Sequence, residues 1–207
     1  YWRRNASVVH PPVAIEQFKP AAKEDIGNFY LWLGELAPYK RPDLAIDAFR
    51  ELDLPLLVIG GPDSRIKSLA KRAGSKTQFL GRVSDQRIKR FLAHCRALVF
   101  PGEEDFGIVP VEAMASGRPV IAYGRGGVLD TVTDEQTGLF FQKQSVEALV
   151  DAVLRFEASE LAIASAQDCL TRSKRFSETV FRAGISENLE QLGVGDRPPL
   201  RLQRAQA

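Results

Sequence analysis

Residues 97–122 read ALVFPGEEDFGIVPVEAMASGRPVIA, and the pattern of this stretch indicates the class of fold. It opens with a short apolar run, Ala97 to Phe100, crosses an acidic loop that contains a glycine, and continues into a helical pattern from about Val109 to Gly117. A second apolar run, Pro119 to Ala122, follows the helix. Such runs are typical of strands buried on both faces, and a helix between two of them indicates a parallel crossover.

The same alternation extends through the chain from Asn28 to about Phe156. Further strands are predicted at Phe29–Leu33, Leu54–Ile59 and Thr77–Leu80, and further helices at Pro42–Leu52, Ser64–Arg72 and Asp85–His94. The pattern predicts an α/β fold, a Rossmann-like three-layer parallel sheet with helices on both faces. Because ligands bind outside the carboxyl ends of such strands, we expect the site in the loops that follow them.

The ends of the chain differ from this central unit. Ser7 to Val13 is a strand-like piece that a proline pair interrupts, and Phe176, Val180, Phe181 and Ile185 are spaced to share one face of a helix. The composition after Leu192 is rich in Gly, Pro, Arg and Gln, which favours disorder. We therefore predict a crossover or hinge at 1–27, a Rossmann-like domain at 28–158, C-terminal helices at 159–192 and a disordered tail at 193–207.

Composition excludes several classes of partner. The 207 residues include 28 Lys and Arg against 26 Asp and Glu, a net charge of +2, so the overall charge does not favour nucleic acid. Cys95 and Cys169 lack metal-ligand spacing, which is consistent with a reducing cytoplasm. No apolar run approaches the roughly 20 residues of a membrane span. We expect a cytoplasmic protein with at most peripheral membrane contact.

The acidic loop and the helix after it hold the candidate binding residues. A helix whose first turn contains Pro110 leaves backbone N–H groups without partners at its start, and such groups bind anions. Gly107 has no side chain, so a phosphate or a sugar can approach the backbone closely. Glu104 and Glu112 would repel a phosphate, but carboxylates accept strong hydrogen bonds from hydroxyl pairs. The pattern predicts phosphate held between two hydroxyl-rich groups, a sugar and a ribose.

Glu104 and Glu112 are separated by seven residues within EDFGIVPVEA, and SGRPV follows soon after. This resembles the E-x7-E signature of retaining group 1, or family-four, glycosyltransferases, whose GT-B fold places two Rossmann-like domains across a cleft. The resemblance implies that the chain is the C-terminal, donor-binding half of a GT-B fold. It also implies that Glu104 holds the donor hexose at the catalytic centre and that Glu112 holds the ribose. Phe106, Gly107 and Ile108 would contact the sugar and diphosphate through their backbone.

A second match to that family is the segment GELAPYKRPDL at residues 34–44. In the family, an arginine just after the glycine and a lysine before the helix neutralise the donor diphosphate. Lys40 occupies the lysine position, which implies a catalytic role, but Glu35 stands in place of the arginine and would repel phosphate. Arg41, or an arginine from the absent half, is the candidate to compensate. Val83 resembles a position whose backbone contacts the nucleotide base, with a helix-capping turn as the alternative explanation.

The resemblance implies hexose transfer from a nucleoside diphosphate sugar, with retained anomeric configuration and without a cofactor or a metal ion. The two matched segments are most similar to bacterial mannosyltransferases of surface-polysaccharide assembly, so GDP-mannose is the expected donor. UDP- and ADP-sugars stay open, because the choice of base depends on few contacts. The expected acceptor is a saccharide or a lipid-linked saccharide, bound by the absent half. The chain alone is therefore expected to be inactive.

Two other functions fit parts of the pattern. A nucleotide-sugar-binding module without turnover would keep the fold and the ligand loops, and Glu35 favours this alternative. An NAD-linked oxidoreductase would share the sheet, but the segment GRGG at residues 124–127 does not complete the dinucleotide fingerprint, since its last glycine would fall on Leu129.

Overall fold

The computed structural model of the chain describes residues 6–161 and 165–193, except for the side chain of Asp63. A single six-stranded parallel sheet has the order β3-β2-β1-β4-β5-β6. Its strands are β1 Tyr30–Leu33, β2 Leu56–Ile59, β3 Thr77–Gly81, β4 Leu98–Phe100, β5 Val120–Tyr123 and β6 Gly138–Phe141. The predicted α/β class and parallel sheet are confirmed.

Helices connect the strands and continue after the sheet. They are α1 Pro42–Leu52, α2 Asp63–Ala70, α3 Asp85–His94, α4 Ile108–Ala115, α5 Val128–Thr131, α6 Val146–Ala158, α7 Ala166–Ser173 and α8 Glu178–Gln191. Short 3-10 turns occur at Ile15–Gln17, Lys23–Asp25, Pro38–Lys40 and Lys174–Phe176. No helix among the described residues has the length and apolar character needed to cross a bilayer.

The strands are apolar on both sides because helices cover both faces of the sheet. In β1, Tyr30 and Trp32 join a core beneath α1 and α6. Leu31, between them in sequence, joins a second core with α3, α4 and α7 on the opposite face. Successive side chains of a strand point to opposite faces, so continuous apolar runs are what two such cores require. This accounts for the three layers.

The order of the strands reverses between β1 and β4. The chain winds from β1 outward through β2 to β3, then returns to the other side of β1 and continues through β4 to β6. At such a switch point the loops that leave the two central strands diverge and open a crevice. The loops after Leu33 and Phe100 therefore border one crevice, and both contain segments that the sequence singled out.

The two ends of the described chain pack together. Val13 is buried, forms a bridge with Ser177, and donates its backbone N–H to the carbonyl of Phe176 at 2.8 Å. Phe176, one of the four residues expected to share a helix face, is itself buried and lies in the 3-10 turn before α8. Val180, on the same predicted face, does remain 49% exposed. The predicted tail lies outside the described residues beyond residue 193.

Candidate functional site

The two predicted catalytic side chains meet at the switch point. The Lys40 ammonium lies 2.6 Å from a carboxylate oxygen of Glu104, and each side chain is less than a fifth exposed. The two residues are 64 positions apart in the chain and come together because β1 and β4 are neighbours. A charge-assisted hydrogen bond of this length holds both groups in fixed positions at the mouth of the crevice.

Close backbone packing fixes this approach. Gly102 lies against the turn at Pro38–Lys40, and a Cβ atom at position 102 would sit 2.8 Å from the Lys40 Cα. From the other side, the backbone N–H of Gly127 donates to the carbonyl of Glu104 at 2.8 Å. The glycine-rich loop at residues 124–127 thus supports the loop that carries Glu104, in a structural role that the sequence did not reveal.

Helix α4 begins at the same place. Gly107 occupies its N-cap position with φ 83° and ψ 76°, a left-handed conformation that strains any residue with a side chain. No side chain caps this end of the helix, and Pro110 has no N–H to offer. The first-turn N–H groups at Ile108 and Val109 therefore stay available to an anion, with the positive end of the helix dipole behind them.

One cleft is lined by most of the predicted site residues. Its volume is about 790 Å³, and it is lined by Tyr39, Lys40 and every residue from Glu103 to Val109. It therefore includes the predicted sugar and phosphate residues Glu104, Phe106, Gly107 and Ile108. A carboxylate, an ammonium and a helix N-terminus around one space can bind a ligand that carries both hydroxyls and phosphate.

Glu112 lines a second cleft, of about 410 Å³, beside the first. Val109 borders both clefts, so the two predicted glutamates lie in neighbouring clefts that meet at the first turn of α4. Gly34 also lines the second cleft. The binding of hydroxyls by Glu104 and Glu112 and of phosphate between them stays a prediction.

The ionisation of Glu112 is perturbed. The pKa of Glu112 is raised to about 7, mainly by burial and also by the nearby Asp85 carboxylate, while the Lys89 ammonium acts in the opposite direction. A carboxylate in a low-dielectric cleft favours its neutral form unless hydrogen-bond donors replace water. Ligand hydroxyls in this cleft would supply such donors.

Three residues of the second cleft were missed by the sequence analysis. Lys89 donates to the Gln17 side chain at 2.7 Å, and its ammonium lies 5.8 Å from the ring centroid of Phe18. All three line the cleft of Glu112. The segment assigned to a hinge therefore supplies one wall of the site. Only the tertiary fold brings it there, and no local pattern around Gln17 signals this contact.

Two predicted donor-binding residues lie elsewhere. Arg41 adopts a left-handed backbone conformation with φ 52°, and its guanidinium pairs with Asp43 at 3.1 Å. It lines a separate cleft beside α2, so the geometry does not support compensation of Glu35 by Arg41. Val83 is half-buried against the second core, and it lines neither of the two clefts described above. The side chain of Glu35 is exposed.

An aromatic cluster packs against Phe106 in the loop that carries Glu104. The His10 ring stacks on Phe106 at a centroid distance of 5.8 Å, and both rings meet Phe176 edge to face at 5.5 Å. The cluster ties the N-terminal segment and the C-terminal helices to the loop of Glu104. Among the described residues, no group of three or more His, Cys, Asp or Glu side chains could hold a metal ion.

Comparison with solved structures identifies the fold. Sucrose-phosphate synthase from Thermosynechococcus elongatus matches with a TM-score of 0.78 and 24% identity, over 91% of this chain and 53% of that one. HepE from Anabaena, solved in complex with UDP-glucose, matches with a TM-score of 0.76 and 22% identity, over 89% and 57% of the two chains. At these identities the likeness shows the fold alone, which is the Rossmann-like α/β fold of one half of a GT-B structure.

Comparison of sequences identifies the family. An uncharacterized glycosyltransferase of Methanocaldococcus jannaschii is 32% identical over 170 residues, 80% of this chain and 48% of that protein. A D-inositol 3-phosphate glycosyltransferase of Mycobacteroides abscessus is 30% identical over 166 residues, 70% of this chain and 38% of that protein. The chain thus spans less than half the length of these relatives. The family model for glycosyl transferases group 1 matches residues 14–176, and the chain belongs to this family.

Proposed function

We propose that this chain is the donor-binding half of a retaining glycosyltransferase that moves a hexose from a nucleoside diphosphate sugar to a saccharide acceptor. The observation that carries the proposal is the Lys40–Glu104 pair, which stands at the switch point beside the free N-terminus of α4. The acceptor, the retained configuration and the activity of the whole protein are parts of the proposal. So is the inactivity of this chain alone.

The diphosphate would bind at the start of α4. The backbone N–H groups of Ile108 and Val109 would donate to phosphate oxygens, and Lys40 would turn from Glu104 toward the same charge. Glu104, released from Lys40, would accept hydrogen bonds from hydroxyls of the hexose. Lys40 then neutralises charge on the departing nucleotide, and neither step needs a metal ion. Omission of divalent cations and addition of EDTA should leave donor binding unchanged.

The nucleoside would occupy the second cleft. Glu112 would accept hydrogen bonds from the ribose hydroxyls, a contact that favours its ionised form. Leu33 and Phe18 line the same cleft and offer apolar surface to the base or the sugar ring. Binding in both clefts at once places the phosphates beside Val109, the residue that the clefts share.

The donor sugar and base are proposed on two different grounds. Similarity of the two motif segments to mannosyltransferases of polysaccharide assembly favours GDP-mannose. The structural likeness to Anabaena HepE, which was solved with UDP-glucose, favours a uridine nucleotide instead. We retain GDP-mannose as the proposed donor and UDP-glucose as its competitor.

Glu35 favours a second candidate function, a nucleotide-sugar-binding module without turnover. Its exposed carboxylate follows Gly34, where the family has an arginine for the diphosphate. Turnover by the whole protein, with product analysed by NMR at the anomeric carbon, separates the candidates. Product with retained configuration supports the enzyme, whereas tight donor binding without any product supports the module.

Calorimetry with GDP, UDP, GDP-mannose and UDP-glucose tests the proposal on this chain. We expect heat with one nucleotide and its sugar conjugate, and a loss of about tenfold or more in affinity for Lys40→Ala, because a hydrogen bond to a charged group is lost. Lys76→Ala is the matched control, since Lys76 forms an equally short pair with Asp53 outside the clefts. Absence of heat with all four ligands would overturn the donor-binding proposal.

A further inference from the structure

Tyr39 is an exposed aromatic residue inside the first cleft. Its side chain is 59% exposed, and among the large apolar side chains that stay exposed in the described residues it is the only aromatic one. It lines the cleft of Lys40 and Glu104. Ile108, 49% exposed, lines the same cleft. Single exposed apolar residues are common, but two beside a charged pair form a local apolar surface within a binding cleft.

The backbone at Tyr39 is fixed. Tyr39 lies in the 3-10 turn Pro38–Lys40, which starts at a proline and is followed by the left-handed Arg41. A Cβ atom at Gly102 would sit 3.0 Å from the Tyr39 carbonyl oxygen, so the backbone packs tightly there. The Lys40 ammonium lies 5.4 Å from the ring centroid, within the range of a cation–π contact. Because the backbone is already ordered, only the side chain of Tyr39 loses freedom when a ligand covers it.

The edge and the faces of a sugar ring need different contacts from the residues of the cleft. A pyranose carries its hydroxyls around the edge of the ring and presents C–H bonds on its faces. Glu104 can accept hydrogen bonds from the edge. The face of an aromatic ring carries a negative electrostatic potential, so it attracts polarised C–H bonds and repels phosphate. Tyr39 is therefore suited to the part of the hexose that the charged groups of this cleft do not bind.

We propose that Tyr39 is a specificity-determining residue that binds the C–H face of the donor hexose. This inference rests on the proposed function. It adds to that function the residue that distinguishes a sugar nucleotide from the bare nucleotide. The side chain contributes through its ring, and its hydroxyl is dispensable. Hexoses with an open patch of C–H bonds on one face are preferred over those with a bulky substituent there.

Calorimetry of variants with UDP, UDP-glucose, GDP and GDP-mannose tests this inference. Tyr39→Ala should weaken binding of the preferred sugar nucleotide by about three- to tenfold, which is the worth of one aromatic contact, and should leave the bare nucleotide within about twofold of wild type. Tyr39→Phe should behave like wild type with all four ligands. Leu154→Ala is the matched control, because Leu154 is 55% exposed on α6 and lines neither cleft.

The outcomes separate the two proposals. Equal losses for the nucleotide and its sugar conjugate would mean that Tyr39 acts through Lys40, which overturns the hexose contact but keeps the donor site. Unchanged affinities for Tyr39→Ala would overturn it as well. Wild-type protein that binds none of the four ligands would refute the proposed function and this inference with it. Thermal unfolding of each variant checks that the fold is intact.

Discussion

Replacement of Glu112 by glutamine should make the protein more stable and at the same time weaken nucleotide binding. Burial is the main reason that the pKa of Glu112 rises from its ordinary value of 4.5 to about 7 in the folded chain. The folded protein therefore binds this proton more tightly than the unfolded chain does. Between pH 4.5 and 7 the unfolded state loses the proton first, so stability falls as pH rises through this window.

The magnitude follows from the size of the shift. A difference of this size corresponds to about 3 kcal/mol of unfolding free energy above pH 7, and screening of the partly exposed carboxylate reduces it to about 2 kcal/mol. Glu112→Gln keeps the shape of the side chain and removes the ionisation. The variant should therefore exceed wild type in stability by about 2 kcal/mol at pH 8, with the difference disappearing toward pH 4.5.

Urea unfolding of wild type and variant at pH 5, 6, 7 and 8 measures this difference. Glu51→Gln, an exposed substitution on α1, is the matched control for the loss of one carboxylate outside the two clefts. Calorimetry at pH 8 should show weaker nucleotide binding by Glu112→Gln, since an amide is a weaker acceptor for ribose hydroxyls than a carboxylate. A stability difference that is absent at pH 8, or that is the same at pH 5 and pH 8, would refute the reasoning.

Two further substitutions test the packing around the site and the core. Gly102→Ala places a methyl group 2.8 Å from the Lys40 Cα, so we expect a loss of about 1–3 kcal/mol in urea unfolding and weaker donor binding by calorimetry. Unchanged stability and affinity would show that the two loops do not depend on this contact. Tyr30→Phe removes the buried hydroxyl that donates to Glu157, and should cost about 1–2 kcal/mol in urea unfolding without any change in donor affinity. A change in affinity would mean that the opposite end of the sheet is coupled to the clefts.

The strands and the main motif were predictable because their signals are local. Buried strands of a parallel sheet read as continuous apolar runs; β1, β2 and β4 lie within the predicted segments, and β3 and β5 each extend one residue beyond theirs. The start of α4 was predicted within one residue, because Gly107 and Pro110 constrain the backbone of the first turn.

Other predictions failed where a side chain's direction depends on the tertiary structure. Arg41 follows Lys40 directly in sequence, yet its backbone is left-handed and its side chain pairs with Asp43. Arg41 lines neither the cleft of Glu104 nor that of Glu112. Ser84 occupies the N-cap position of α3, where serine is a preferred residue, but its side chain makes no capping hydrogen bond. Residue type alone did not distinguish these orientations.

The α/β class and the residues with suitable chemistry could be identified from short segments, because hydrophobic period and residue type are local properties. Which of these residues meet depends on the tertiary fold. Lys40 reaches Glu104 because β1 pairs with β4, and Gln17 reaches Lys89 because the N-terminal segment packs beside α3. Contacts across so many residues depend on strand order and packing, which no local pattern specifies.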